Sequence, residues 1–231
     1  MSEPNQKKSD YVFLMGLSKD AQSLCAKNHY SHRNIPSCIY VGKLYEKIDA
    51  NVIGEIVAAV FFKAPSSRWP KGTLELGRLV RAEDKTLPLT KLISLTVKQI
   101  KREKRYGLLV SYADSKQDHH GGVYQASSWE YHGERQDGAV EGYMIDGIYV
   151  PHRSAYVKWK TNNTKMLSKI LKRPVEKVYS KAKHLYWKSL NKDGDELAKK
   201  LNLRSKPYPK PKPSSENKYD KYREQRKKGE G

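Results

Sequence analysis

One stretch of the chain gathers groups able to do chemistry: LLVSYADSKQDHHGGVYQASSW holds Asp114, His119, His120 and Tyr124 close together. A carboxylate, two imidazoles and a phenol so near one another suit acid–base catalysis or metal binding. The order Asp-x-x-x-Asp-His-His matches no metal-ligand pattern, so a polar loop with a helix-capping aspartate remains an open reading. Position argues for function. In a parallel α/β arrangement ligands collect at the carboxyl ends of strands, and an apolar run from Gly107 to Ala113 would deliver Asp114 there. Gly121 and Gly122 then let the backbone turn into a short helix bearing Tyr124 and Gln125.

A second stretch suits a polyanion. Ala155 to Leu190 carries ten basic residues against Glu176 alone, among them Lys158, Lys160, Lys165, Lys169 and Lys172. Tyr156, Trp159, Tyr179, Tyr186 and Trp187 are interleaved with them. Basic side chains neutralise phosphates and aromatic rings stack on bases, so this composition fits a nucleic-acid surface. The competing reading is a solvated basic face above core aromatics. The chain as a whole carries 45 Lys and Arg against 25 Asp and Glu, a net +20, yet residues 107–154 just before this stretch sum to −4 and residues 155–190 to +9. Solubility alone does not require charge to be sorted by position.

The elements that must position these groups follow from periodicity and punctuation. Asp10 to Met15 reads as a strand, and Ser18 with Asp20 as the cap of a helix carrying Ala21, Leu24 and Cys25. Cys38 to Leu44 and Asn51 to Phe62 read as a hairpin, Pro65 to Gly72 as a loop and Thr73 to Arg81 as a strand. Thr86 and Pro88 then start a helix with Leu89, Leu92, Ile93, Val97 and Ile100 on one stripe and a basic last turn. With the strand from Gly107 this makes a β-α-β unit with parallel neighbours. Trp129 to His132 and His184 to Leu190 read as strands, Asp146-Gly147 as a hairpin turn, and Thr164 to Leu171 and Asp195 to Leu201 as helices. The expected class is therefore α/β (α+β): a central mixed sheet flanked by helices.

Residues 1–9 are expected to be disordered, residues 10–204 to form one domain with an insertion at 134–180, and the Pro- and Lys-rich residues 205–231 to be a disordered or loosely attached basic tail. No apolar run reaches the roughly 18 residues a membrane span needs, and MSEPNQKKSD lacks the apolar core of a signal peptide. No membrane association and a cytoplasmic location are expected. Cys25 and Cys38 read as buried thiols rather than a disulfide framework or a zinc site.

The motifs KNHYSHR, ELGRLV, VSYADSKQDHHGGVYQASSWEYHG, DGIYVPHRS and KPYPK together resemble the Mom family of phage DNA adenine modification proteins, over residues from about 10 to 210. The order of strands and helices resembles that of GNAT acetyltransferases. The resemblance implies a GNAT-like fold and transfer of a carbamoylmethyl group to the exocyclic amine of adenine, shielding DNA from host restriction. It also implies acetyl-CoA or another small-molecule donor, and iron. Carried over by position, His29 and Tyr30 match a His-Tyr pair associated with the metal or active centre, Arg78 the arginine of the ELxRLV strand, Asp114 the aspartate ending the next strand, and Tyr124 the tyrosine of YQAS. Imidazole and phenolate are reasonable iron ligands. Packing roles for Tyr30 and Tyr124, and an ion pair of Arg78 with Glu75, are the structural alternatives.

One departure stands out. A diphosphate needs bare backbone N–H groups at the strand-to-helix turn, whereas this chain has RAEDKTLPL, with Glu83 and Asp84 repelling and Pro88 lacking a donor. Lys85 and the helix N-terminus could still hold an anion. The expectation is thus a DNA-modifying transferase acting on flipped adenine in double-stranded DNA. The alternatives are an N-acetyltransferase of a small amine or protein, and a non-catalytic DNA-binding protein on the same fold. Oligomeric state is not legible.

Overall fold

The computed structural model describes residues 10–29, 35, 37–49, 52–66, 68–83, 85, 87, 89–114, 120–135, 140–179 and 182–210. In chain order the elements are β1 (Tyr11–Met15), α1 (Lys19–Asn28), β2 (Tyr40–Lys47), β3 (Ile53–Lys63), β4 (Thr73–Arg81), α2 (Leu89–Arg102), β5 (Leu108–Asp114), α3 (Gly122–Gln125) and β6 (Glu130–Arg135). They continue with β7 (Val140–Ile145), β8 (Ile148–Pro151), α4 (His152–Trp159), α5 (Thr164–Leu171), β9 (Glu176–Tyr179), β10 (Lys183–Ser189) and α6 (Lys192–Lys200). Seven strands form one mixed sheet in the order β1-β2-β3-β4-β5-β10-β6. Neighbours are antiparallel except β4 and β5, which run parallel across the α2 crossover as their β-α-β spacing predicts.

Side-chain alternation feeds two cores. On one face Phe62, Val60, Leu74, Leu76 and Leu109 pack with the α2 stripe Leu92, Ile93, Val97 and Ile100. The helix lies close because β2 offers Gly42, where a Cβ would stand 1.9 Å from the Thr96 hydroxyl. The other face packs Phe61, Ala59 and Val80 against α1 through Ala21, Leu24 and Cys25. Further along that face, Leu108, Val110 and Leu185 pack with Trp69 and Ala198 of α6. Cys25 is buried and Cys38 half-buried, both as free thiols.

Residues 140–179, within the expected insertion, carry a second sheet and their own buried cluster. β8, β7 and β9 form a second sheet in that order, with Tyr143, Ile145, Ala155, Leu167 and Val175 buried between it and the helices α4 and α5. Asp146 (φ 51°) and Gly147 (φ 76°) make the β7–β8 turn with both central residues left-handed. Asn163 caps α5 by accepting from the N–H groups of Lys165 and Met166 at 2.9 and 3.2 Å. Two elements here carry no sequence signal. α4 buries only Ala155 and mixes strand formers with charges, and β9 is four residues long.

The extension from residue 205 does not begin as a loose tail. Lys206 donates its N–H to the Tyr131 carbonyl at 2.8 Å, Tyr208 donates its hydroxyl to the Trp129 carbonyl at 2.9 Å, and Ser205 bonds Glu130. Residues 205–210 therefore cover the outer edge of β6, whose backbone would otherwise be left open. The rest of the tail and residues 1–9 lie outside the described residues. Among the described residues no helix is long and apolar enough to cross a membrane.

Candidate active site

The sheet opens between its two parallel strands. The β4–β5 ladder runs from Thr73↔Leu108 to Leu76↔Ser111 and stops, the last rung reinforced by the Ser111 hydroxyl donating to the Leu76 carbonyl at 2.9 Å. The cause lies in β4. Against β3 its register slips, Phe62 facing Leu76 but Phe61 facing Arg78, so Gly77 is the extra residue of a bulge. A bulge twists its strand away from the neighbour and reverses the alternation beyond it. Arg78 consequently faces α1 instead of α2. Gly77 in the middle of an otherwise regular strand is the sequence signal for it.

That reversal makes the main contact of the site. His29 is the C-cap of α1, and Arg78 Nη1 lies 2.9 Å from its Nδ1. Guanidinium has donors only, so Nδ1 accepts and the neutral ring carries its proton on Nε2. The sequence alternative of an Arg78–Glu75 pair does not form: Glu75 is bound by Lys63 at 3.0 Å. Burial pushes the Cys25 and Cys38 thiols of this region up, while the Arg78 charge partly offsets it.

Across the opening, Leu108, Val110 and Tyr112 face α6, and the same alternation brings Asp114, the last residue of β5, to the face of Arg78 and His29. Asp114 pairs with Lys183 of β10, and Lys183 pairs with Arg135 of β6. Arg135 stacks over the Trp69 ring at 5.3 Å, and Trp69 donates its indole N–H to Tyr112 at 3.2 Å. The carboxylate thus ends a row of two cations on a rim braced by aromatic side chains.

Tyr124 lies elsewhere. It is 8% exposed and sits on the α2 face, its ring 5.2 Å from Tyr186 and 5.5 Å from Trp129. Gly121 (φ 79°) begins this turn under the Tyr186 ring, where a Cβ would approach to 2.3 Å. The polar partner from the YQAS motif is Gln125, which donates to the Tyr186 hydroxyl at 3.0 Å. Tyr186 in turn donates to the His120 carbonyl at 2.5 Å, and burial holds its phenol up at about 12. A further pair, Tyr131 OH and His184 Nδ1 at 2.9 Å, escaped sequence reading. Its members are 53 residues apart and join only when β10 enters between β5 and β6.

Tyr30 and His119 lie outside the described residues. Lys85 forms an ion pair with Glu46 at 2.7 Å and Glu83 is exposed, while Asp84, Thr86 and Pro88 lie outside the described residues. Lys158 and Lys160 lie on α4 and at its C-cap, Lys165 and Lys169 on α5, and Lys172 at its C-cap. All five are exposed.

The described residues do not fit the implied iron. Among them, no three His, Cys, Asp or Glu side chains converge on a point. A histidine ligand normally donates its second N–H to an acceptor, yet His29 Nδ1 receives a donor and stands beside a fixed cation. His29 is held as an acceptor for Arg78, and Tyr30, its partner in the expected iron pair, lies outside the described residues.

A seven-stranded mixed sheet, helices on both faces and a parallel pair splayed at its carboxyl end define a GNAT-like fold. The chain belongs to the Mom protein family, whose model matches residues 15–210. Similar solved structures include Salmonella typhimurium yncA with its cofactor acetyl-CoA, at 11% identity over 80% of this chain and 96% of that one, TM-score 0.47. A Bacillus subtilis acetyltransferase in complex with CoA shows 10% identity over 78% and 99%, TM-score 0.46. An IAA acetyltransferase from Bacillus cereus shows 12% over 78% and 99%, TM-score 0.43. No curated protein matches the chain significantly.

Proposed function

We propose that this protein transfers a carbamoylmethyl group from a small-molecule donor to the exocyclic N6 amine of adenine in double-stranded DNA, protecting phage DNA from restriction in the host cytoplasm. Membership of the Mom family supports the DNA substrate. The observation that carries the reading is the row Asp114–Lys183–Arg135, because Lys183, where the chain leaves the basic insertion, faces Asp114, and Arg135, where it enters, faces Lys183. DNA held by Lys158, Lys160, Lys165, Lys169 and Lys172 is thereby presented at the splayed strands.

An adenine amine is a weak nucleophile, paired and stacked in a duplex, so the base is flipped out to react. As N6 bonds to the transferred carbon it loses a proton, which Asp114 accepts. The donor's leaving group departs with its electron pair. Arg78 holds a carbonyl or carboxylate oxygen of the donor, since its planar fork suits that group. His29 acts through Arg78 as a positioning residue. Tyr124 supports the α3 turn from the opposite face. Arg78 and the diverging strand edges fit a donor whose methylene bears both a leaving group and a carboxamide; acetyl-CoA by itself would deliver an acetyl group, and Lys85 is already paired with Glu46.

Mass spectrometry of nucleosides from DNA co-expressed with the protein is the test, with a mass-shifted deoxyadenosine expected. Unaltered deoxyadenosine throughout would overturn the proposal. If small amines or protein N-termini were acetylated instead, the N-acetyltransferase reading would take its place; DNA bound but unchanged would make the protein a binding module. Duplex affinity should fall with salt at a slope near −0.9 per phosphate neutralised.

A further inference from the structure

The insertion presents two helices to solvent, and they differ in kind. On α5 and its C-cap the exposed residues are Lys165, Lys169 and Lys172, at i, i+4 and i+7, with Met166 (54% exposed) and Ile170 (50%) beside them and no aromatic ring. The face of α4 opposite buried Ala155 carries Arg153, Tyr156, Val157 and Lys160, at i, i+3, i+4 and i+7. Tyr156 is 52% exposed and Val157 62% exposed. A lysine stripe serves phosphates along a backbone. An aromatic and a branched aliphatic side chain set between an arginine and a lysine gain nothing from phosphates, yet they sit where only a polyanion is electrostatically welcome. The part of a polyanion that takes such side chains is the base stack, which apolar wedges enter by partly unstacking a step.

We propose that α4 is a wedge helix: Tyr156 and Val157 enter the base stack of bound duplex DNA, with Arg153 and Lys160 on the flanking phosphates, while the lysines of α5 hold the backbone. This rests on the DNA reading above and deepens it. Tyr156 fills space in the stack beside the flipped adenine and so lowers the cost of extruding it. The wedge lies in the unit between Arg135 and Lys183, and Lys183 faces Asp114, so unstacking occurs in the unit tied to the chemistry.

The test uses the full-length protein and a set of duplexes with 2-aminopurine, whose fluorescence rises on unstacking, at successive positions. Wild-type protein should brighten one or two adjacent positions. Tyr156→Ala with Val157→Ala should lose that signal and about fivefold or more in affinity, as loss of a stacked base contact does, with the salt slope unchanged. Tyr156→Phe should keep the signal. Replacing Lys165, Lys169 and Lys172 by Ala should instead shrink the salt slope by about 2.7 and leave the brightening of saturated complex in place. Full brightening by the Tyr156/Val157 variant would overturn the wedge, as would salt-dependent duplex binding by wild type with no brightening anywhere. A wild-type dimer that the same variant dissolves, seen by sedimentation, would make the face a self-interface and also overturn it. Wild-type protein that binds no duplex at low salt would overturn the DNA reading itself.

Discussion

The splayed sheet and the insertion solve opposite problems. In the sheet, Phe61 and Phe62 are adjacent and both wholly buried, because helices cover both faces. Such a platform holds Arg78 and Asp114 in fixed relation, as chemistry at one atom requires. Among its described residues the insertion buries five apolar side chains and leaves Ile148, Tyr156, Val157, Met166 and Tyr179 more than half exposed among its basic residues. That arrangement suits a long, deformable anion met at many points. Under the proposed function, the difference separates where a substrate is held from where it is altered, and the Lys183–Asp114 rung ties the two regions together.

The largest expected effect lies on the platform. Asp114→Asn should lower DNA modification by about 10²- to 10⁴-fold, the usual worth of a positioned proton acceptor, with duplex affinity unchanged. His29→Ala should raise the KM for the donor more than it lowers kcat, since it loosens Arg78 without removing it. Wild-type kcat and KM in that variant would remove its positioning role. Next in size, Leu167→Ala should destabilise the insertion by about 2–5 kcal/mol. Hydrogen exchange should quicken across residues 140–179 and not in β2 to β5. If the whole sheet opened with it, the two regions would be one cooperative unit and the comparison would fail.

Smaller effects test the edges. Truncation after Arg204 removes the hydrogen bonds from Lys206 to Tyr131 and from Tyr208 to Trp129 and should cost about 1–3 kcal/mol. Truncation after Lys210 should leave thermal stability within about 0.5 kcal/mol and weaken duplex affinity modestly. Equal stability of both truncations would make the β6 cover irrelevant. The smallest effect is a pH dependence. Burial pushes the Asp20 carboxyl up, but the Ser18 and Tyr45 hydroxyls and the Ala21 N–H beside it outweigh that, and its pKa lies below the ordinary 3.8. A depressed folded pKa gives stability that is present above the unfolded value and lost as pH falls through the folded one. Asp20→Asn should flatten the acid limb of the stability curve by under about 1 kcal/mol, given its exposure. An unchanged limb would show the carboxylate to be idle.

Local pattern determined much of this protein. The span Thr73–Arg81 and the α2 stripe were legible residue by residue, because burial of one face imposes its period on consecutive side chains. The charge contrast and the quoted motifs were likewise enough to place Arg78, Asp114 and the five lysines as candidates. Tertiary structure decided what those residues touch. Alternation alone would turn Arg78 toward α2; the bulge at Gly77 turns it to His29, 49 residues away. Tyr124 looked like a companion of Asp114, ten positions earlier, yet β5 and α3 direct the two to opposite faces of one sheet. The α4 face was hidden because an eight-residue helix with one buried alanine has no stripe to read. Periodicity records which side of an element is dry, but partners across a sheet are set by register and bulges, which depend on every strand in place at once.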